Sequence, residues 1–287
     1  MHMIKSNSFI EAARAGKNDF WRYVVTILLI MTLVTGSSLC LGMAALLMGQ
    51  LPGSIEAIPP ITLLVVGLIP FGFVLVGLWM GLRLLHGRPF ETLVRPAGRF
   101  RWGLLALSAG IWLALAAGGD LALSAVEPGN YRFVFEPQRL IPYALLALLL
   151  LPIQVAGEEL LVRSYLTQGF GLAGGYWAAW LVPAVIFGLL HGLNPEVGAY
   201  GILLTMPVYI GMGLLLGWVT LHTAGLELAL GMHLANNLYG TLLVTAPSSA
   251  LPAPALFRIG QYDPAAALVV FAITALVYLL VIRLLKI

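Results

Sequence analysis

Long apolar runs alternate with short polar turns along almost the whole chain. Eight runs are long enough to matter, and they cover residues 23–48, 59–83, 102–124, 140–167, 175–191, 199–220, 226–245 and 264–285. A helix that crosses the hydrocarbon core of a bilayer needs about 20 predominantly apolar residues. The pattern therefore predicts an all-α, polytopic integral membrane bundle of about eight transmembrane helices, with residues 23–287 forming one transmembrane domain.

The first 22 residues have a different character. They are polar and basic, but Phe9, Ile10, Ala13 and Phe20 can share one face of a short helix. Two interpretations stay open for residues 1–22, a solvated cytoplasmic tail and a helix lying at the membrane interface.

Composition excludes several classes of protein. Of the 287 residues, 60% are hydrophobic and 9% are charged, whereas an ordinary soluble domain has about 25% charged residues. The lipid bilayer is therefore the first predicted partner. The formal net charge of +3 is too small to indicate nucleic-acid binding, and the single cysteine, Cys40, excludes a disulfide within the chain.

The basic residues predict the orientation in the membrane, because loops on the cytoplasmic side are enriched in Lys and Arg. With the N-terminus in the cytoplasm, eleven of the fifteen basic residues lie inside, namely Lys5, Arg14, Lys17, Arg22, Arg83, Arg88, Arg95, Arg99, Arg101, Arg283 and Lys286. We therefore predict a multi-pass protein of the cytoplasmic (plasma) membrane with both termini cytoplasmic. Glu227 falls near a cytoplasmic turn and is expected to be solvated.

Three charged side chains interrupt the fourth apolar run. Glu159 and Arg163 are four residues apart, so on a helix they share a face and can pair. Glu158 is rotated from Glu159 by about 100° at 3.6 residues per turn, which leaves it without a local counter-ion. Charged residues at membrane depth are costly and indicate a functional site by default. The alternative is an ion pair that only holds helices together.

Two later helices offer polar partners for Glu158. The fifth apolar run ends in Phe187-Gly-Leu-Leu-His191, and the seventh contains His233-Leu-Ala-Asn-Asn237. His233 and Asn237 are four residues apart and share a helix face. A lone histidine on an apolar helix is more often a packing residue, but two of them beside an unpaired glutamate favour chemistry.

These motifs resemble a known family. In the order Glu158-Glu159-x-x-x-Arg163, Phe187-x-x-x-His191 and His233-x-x-x-Asn237, they are similar to those of the CAAX protease and bacteriocin-processing (Abi) family of intramembrane proteases, which is related to the type II CAAX prenyl protease, the Ras-converting endopeptidase. The resemblance covers residues 140–246 and makes this stretch the expected protease-like core.

The resemblance implies a role for each motif residue. Glu158 and His191 would activate a water molecule that attacks the scissile carbonyl. His233 and Asn237 would stabilise the oxyanion, while Glu159, paired with Arg163, would hold the fourth helix in place. The expected activity is that of an intramembrane endopeptidase, with a peptide or membrane-anchored protein as substrate.

A zinc-dependent mechanism is an alternative to the glutamate-type mechanism. Glu158, His191 and His233 match the ligand types of catalytic zinc sites, but the chain has no His-Glu-x-x-His motif. If zinc took these ligands, the acid left to act as base would be Glu159, which is already paired. We therefore expect a glutamate-type mechanism without a cofactor. Gln154, one turn before Glu158, is a possible supporting donor.

Other functions stay open at the level of the sequence. A non-proteolytic membrane scaffold or immunity protein could keep the same fold without turnover. A transporter would show inverted repeats and matching broken helices, and neither is visible. Segment lengths place the expected site near the midplane or in the cytoplasmic half of the membrane, with cleavage near the cytoplasmic face.

Overall fold

The computed structural model describes residues 7–51 and 57–287 and is built almost entirely of helices. The α-helices in these ranges are α1 (Ser8–Glu11), α2 (Phe20–Leu47), α3 (Pro60–Leu68), α4 (Pro70–Met80), α5 (Trp102–Val126), α6 (Pro137–Glu158), α7 (Thr167–Leu190), α8 (Pro195–Tyr200), α9 (Ile202–Thr223), α10 (Glu227–Leu238) and α11 (Pro264–Leu284). Tighter 3₁₀ turns cover Ala12–Ala15 and Phe90–Leu93, and wider π turns cover Gly81–His86, Glu159–Leu166 and Tyr239–Leu243.

The predicted class of fold, an all-α membrane bundle, is confirmed. Among the described residues, six helices are long and apolar enough to span a membrane, including the 54-residue helix Pro137–Leu190. That helix breaks at Gly175, whose φ of 76° and ψ of −168° favour glycine. The break yields two of the predicted runs, and α10 with its π turn occupies the position of the run predicted over residues 226–245.

The N-terminal segment packs against the bundle. Within the described part, residues 7–22, Phe9 and Ala13 are completely buried, and the Asn7 side chain donates a hydrogen bond of 2.8 Å to the carbonyl oxygen of Leu221. Phe20 does not join this face and is 82% exposed. The apolar residues Phe9, Ile10 and Ala13 of this segment are thus covered by protein.

The two ends of the bundle differ in charge. One end, called here the basic end, carries ten Lys and Arg residues of the described chain, Arg14, Lys17, Arg22, Arg83, Arg88, Arg95, Arg99, Arg101, Arg283 and Lys286. The other end carries Arg132, Arg139 and Arg258, while Arg163 lies inside the protein. Lys5 lies outside the described residues.

A small sheet marks the second end, called here the sheet end. Its strands are β1 (Tyr131–Phe133), β2 (Val244–Thr245) and β3 (Phe257–Ile259). β3 lies in the middle, antiparallel to β1 with Arg132 opposite Arg258, and parallel to β2. The strands tie the loop before α6 to the loop before α11. Strands of two or three residues leave too short a pattern to be predicted.

Glu227 at the basic end is buried, contrary to the prediction that it is solvated. Its carboxylate accepts hydrogen bonds of 2.9 and 2.7 Å from the Arg101 guanidinium and one of 3.1 Å from the Arg101 backbone N–H. Arg95 lies 3.6 Å away. The hydrogen bond to Glu227 raises the pKa of Arg101. The prediction was wrong because Arg101 is distant in sequence and joins Glu227 only when α5 packs against α10.

Candidate active site

The two adjacent glutamates lie where the helix changes from α to π geometry. α6 ends at Glu158, and Glu159–Leu166 forms a π turn with more residues per turn than an α-helix. Both carboxylates approach His233 on α10, but at opposite ring nitrogens, Glu158 at Nε2 and Glu159 at Nδ1. Glu159 also pairs with Arg163, whereas Oε2 of Glu158 has no hydrogen-bond partner. π turns occur frequently at functional sites.

His233 lies between the two carboxylates. Its Nδ1 is 2.8 Å from Oε1 of Glu159, and its Nε2 is 3.5 Å from Oε2 of Glu158. Since the Glu159 carboxylate can accept a hydrogen bond from Nδ1–H, it holds the ring in a fixed orientation and leaves Nε2 facing Glu158. His233 and Glu159 are buried, whereas the Glu158 side chain is 14% exposed. Glu158 is therefore the more accessible carboxylate.

Arg163 forms the predicted ion pair but is poorly hydrogen-bonded. Its Nη1 is 3.3 Å from Oε1 of Glu159, yet none of its three guanidinium nitrogens makes a hydrogen bond. Instead, its guanidinium carbon lies 3.8 Å above the centre of the Phe187 ring. A cation over an aromatic face is attracted by the ring electrons. Phe187, predicted only as a motif residue, thus helps to hold the charge.

Asn237 is connected to Gln154, the residue predicted as a possible supporting donor. The Asn237 amide donates a hydrogen bond of 3.0 Å to Oε1 of Gln154, and its oxygen accepts one of 3.3 Å from Asn236. Because an amide nitrogen has two protons, one N–H of Asn237 is left for another acceptor. Trp112 on α5 donates to Asn236 at 3.2 Å and supports this chain of amides.

His191 follows the last residue of α7, and its hydrogen bond determines which ring nitrogen carries the proton. Nδ1 is 2.7 Å from the carbonyl oxygen of Phe187, which can only accept a hydrogen bond. The proton of the neutral ring is therefore on Nδ1, and Nε2 is left as an acceptor. The ring stacks on Tyr209 of α9, with 4.5 Å between centroids and 24° between planes.

Sequence analysis did not include Tyr209 or Glu196 in the site. The Tyr209 hydroxyl donates to the Glu196 carboxylate and accepts a hydrogen bond of 2.9 Å from Asn194. The second oxygen of Glu196, Oε2, is buried and has no hydrogen-bond partner. The only signal in the sequence is the polar stretch Asn194-Pro195-Glu196 close behind His191.

A cavity of about 370 Å³ unites the predicted residues. Glu158, His191, His233 and Asn237 all line it, together with Glu196. The Oε2 atom of Glu158 is buried and makes no hydrogen bond. The structure therefore brings the four predicted catalytic side chains to one space. Their individual roles stay a prediction.

A second, more apolar cavity of about 280 Å³ meets the first at Glu158 and His191. Its walls come from α4 and α7, with Phe71 and Val74 on one side and Leu190 on the other. Leu190 is 64% exposed, which places this cavity next to the lipid-facing surface. Three polar side chains, Glu158, His191 and Asn194, thus face both a polar and an apolar space.

Comparison with known proteins identifies a family for the part of the chain that contains these residues. Residues 138–239 match the family model described as type II CAAX prenyl endopeptidase Rce1-like. All six predicted site residues fall within the match. This segment is Rce1-like. The resemblance inferred from the three motifs is therefore confirmed, and it supports a general role as a CAAX-type intramembrane protease.

The similarity to one bacterial relative extends beyond the Rce1-like segment. The uncharacterized protein YyaK of Bacillus subtilis (strain 168) is 29% identical over 268 residues, which cover 90% of this chain and 89% of YyaK. No solved structure shows significant similarity to the chain.

The described part of the Rce1-like segment does not present a metal-ligand cluster. No group of three His, Cys, Asp or Glu side chains in the described residues is arranged to hold a metal ion. The possible zinc ligands Glu158, His191 and His233 line one cavity, and the bond from Nδ1 of His233 to Glu159 leaves Nε2 as the nitrogen that could bind a metal. A mechanism without a cofactor stays a prediction, and no step of the chemistry below is assigned to a metal.

Proposed function

We propose that the protein is an intramembrane endopeptidase that uses a glutamate-activated water molecule and requires no metal. The observation that carries this proposal is the shared cavity. Glu158 keeps an oxygen without a hydrogen bond there, and His191 and His233 line the same space. A carboxylate and two imidazoles around one cavity are suitable groups for general acid–base catalysis.

In the proposed reaction, water attacks the carbonyl carbon of the scissile bond. Glu158 takes one proton from the water, and Nε2 of His191 accepts a hydrogen bond from the same molecule and orients it. A new C–O bond forms while the carbonyl oxygen becomes an oxyanion. The C–N bond then breaks, and the leaving nitrogen takes the proton from Glu158. The products are a carboxylic acid and an amine, and Glu158 returns to its starting state.

The oxyanion would be stabilised by His233 in its protonated form. Glu159 accepts from Nδ1–H, so a second proton on Nε2 can point into the cavity. Two carboxylates and the two cations Arg163 and protonated His233 then balance in charge, which lowers the cost of burying all four. The free N–H of Asn237 is the second donor. One such donor contributes about 2.7–4 kcal/mol to the transition state.

The two cavities suggest how substrate and water arrive separately. The apolar cavity beside Leu190 suits an apolar peptide segment entering from the bilayer, and the polar cavity with Gln154 and Asn194 suits water. They meet at Glu158, where hydrolysis would take place. This arrangement agrees with a peptide or membrane-anchored protein as substrate.

Glu158→Gln and His191→Gln test the proposal in reconstituted membranes. Each variant should lower cleavage of a membrane-anchored peptide by about 10²–10⁴-fold, the usual contribution of a general acid or base. Glu91→Gln, at an exposed position of the basic end, is the matched control and should cleave normally. Full cleavage by both site variants would contradict the proposal.

Two further observations distinguish the alternatives. Cleavage that survives exhaustive removal of metal ions supports the metal-independent mechanism, whereas loss of cleavage that zinc restores contradicts it. If the unmodified protein binds membrane peptides but hydrolyses none from a broad set, the non-proteolytic scaffold becomes the better interpretation.

A further inference from the structure

The polar cavity extends toward the sheet end of the bundle. Besides the catalytic candidates, its lining includes Ser249, Ala250 and Leu251 from the loop between β2 and β3. Tyr200 at the end of α8 donates a hydrogen bond of 2.8 Å to the carbonyl oxygen of Pro247 in the same loop. None of the residues lining this cavity belongs to the loops of the basic end.

Closely packed side chains block access to the cavity from the basic end. Beyond Glu159, the same helix continues toward the basic end with Leu160 and Tyr165, which are at most 7% exposed. They belong to one apolar cluster with Phe9, Leu93 and Leu226. Because such an interior is close-packed, a peptide has no route from the basic end to Glu158.

A polar layer reinforces this closure. The Gln168 amide nitrogen donates to the backbone oxygens of Phe9 and Thr92, at 3.0 and 2.7 Å, and Arg88 donates to the Gln168 oxygen at 2.9 Å. Gln168 is completely buried. Opening this side would break several buried hydrogen bonds at once, at a cost of about 1–3 kcal/mol for each group left without a partner.

The charges of the two ends indicate which end of the bundle faces the cytoplasm. Ten Lys and Arg residues of the described chain lie at the basic end and three at the sheet end. Short loops rich in Lys and Arg stay in the cytoplasm, so the basic end is assigned to the cytoplasmic side. His233 is six residues from Glu227, or about 9 Å along α10. His233 therefore lies in the cytoplasmic half of the membrane, while the cavity that it lines opens toward the other side.

We propose that the catalytic cavity opens on the extracytoplasmic side of the membrane, so that the substrate is a membrane-anchored or exported peptide that enters the site from that side. The direction of the opening follows from the residues that line the cavity, the close packing at the basic end and the distribution of Lys and Arg between the two ends. The nature of the substrate rests in addition on the proposed function. The expectation of cleavage near the cytoplasmic face is replaced by access from the opposite face.

Cysteine labelling tests the direction without requiring turnover. In a Cys40→Ala background, Ala250→Cys places a thiol at the cavity mouth, and Ala97→Cys places one at the basic end. Both alanines are exposed loop residues. In bacterial spheroplasts, a membrane-impermeant maleimide should label Ala250→Cys. Ala97→Cys should stay unlabelled in intact spheroplasts and should be labelled only after permeabilisation.

The opposite pattern, or equal labelling of both variants before permeabilisation, overturns the proposal. Ser249→Cys, a nearly isosteric change in the same loop, repeats the measurement if Ala250→Cys does not fold. If neither loop variant is labelled even after permeabilisation, the mouth is closed and the proposal also fails. A protein that labels as expected but hydrolyses nothing contradicts only the proposed function.

The substrate part has its own test. The same peptide is anchored by a transmembrane helix in either orientation, with its cleavable tail outside or inside the cell. Only the peptide with the extracytoplasmic tail should be cut. Equal cleavage of both, or cleavage of only the cytoplasmic tail, contradicts this part of the proposal.

Discussion

Two buried clusters of charge in this protein are built differently. At the basic end, Glu227 has both oxygens hydrogen-bonded to the Arg101 guanidinium. Around the cavity, Arg163 makes no hydrogen bond, and Oε2 of Glu158 has none either. Both oxygens of Glu227 are saturated with partners, whereas the second cluster leaves donors and acceptors unused close to open space.

The difference indicates which cluster stabilises the fold and which one can react. Nearly all buried polar groups in proteins have hydrogen-bond partners, so exceptions need an explanation. A saturated pair such as Glu227 with Arg101 holds α5 against α10 and has no group free for a substrate. The Glu158 oxygen that has no hydrogen-bond partner lowers the stability of the fold, but it is available to a water molecule. Variants of the two clusters should therefore separate activity from stability.

After the proposed base Glu158 and its partner His191, the largest expected effect is on turnover at His233. His233→Gln removes the proposed oxyanion donor and should lower kcat by about 10²–10³-fold. His222→Gln is the matched control, because His222 is exposed near the end of α9 and stacks only on Trp218. Cleavage kinetics of both variants provide the measurement. Normal kcat in His233→Gln would remove this residue from the mechanism.

Glu227→Ala should act on stability instead. It leaves the partly exposed Arg101 without its partner and should lower the free energy of unfolding by about 1–3 kcal/mol. Glu136→Ala is the control, since its ion pair with Arg139 is exposed and should contribute about 0–1 kcal/mol. Unfolding in detergent measures both. Equal stability of the two variants would show that the saturated cluster is not a structural element.

Gly231→Ala should disturb the contact between the two helices near both clusters. A Cβ at Gly231 on α10 would lie 2.2 Å from the backbone oxygen of Leu105 on α5. Forcing the helices apart should cost about 1–3 kcal/mol and, by moving His233, should also lower cleavage. Gly110→Ala on α5 meets no atom within 4 Å and should be neutral in unfolding and cleavage. A neutral Gly231→Ala would mean that this contact does not position the site.

Tyr209→Phe is expected to have the smallest effect. It keeps the ring on which His191 stacks but removes the hydroxyl that donates to Glu196 and accepts from Asn194. The loss of these two hydrogen bonds, about 2 kcal/mol in all, should lower kcat/KM by at most roughly 30-fold. Tyr200→Phe, whose hydroxyl bonds to Pro247 outside the cavity lining, should leave kcat/KM unchanged. A loss as large as that of His233→Gln would give Tyr209 a direct part in the chemistry.

Patterns that repeat within one helix could be predicted from the sequence. Eight apolar runs predicted the bundle because bilayer thickness fixes their length. The spacing of four residues correctly paired Glu159 with Arg163. The motif resemblance also selected four side chains that share one cavity.

Features that depend on packing could not be predicted. His233, which lies 74 residues beyond Glu159 in the sequence, contacts both glutamates through its two ring nitrogens. The partner of Glu227 lies 126 residues away in the sequence. Glu196 and Tyr209 join the site only because α9 packs against α7. Each of these contacts is made between elements that no local pattern relates.

The central claim is that the unsaturated cluster exists for reaction and not for stability. Its most direct test measures cleavage per folded molecule and the thermal unfolding midpoint of Glu158→Gln in the same preparation. The account predicts cleavage lowered by about 10²–10⁴-fold with a midpoint equal to or above that of the unmodified protein, since functional groups are commonly kept at the expense of stability. Retained cleavage together with a midpoint lowered as far as in Glu227→Ala would contradict it.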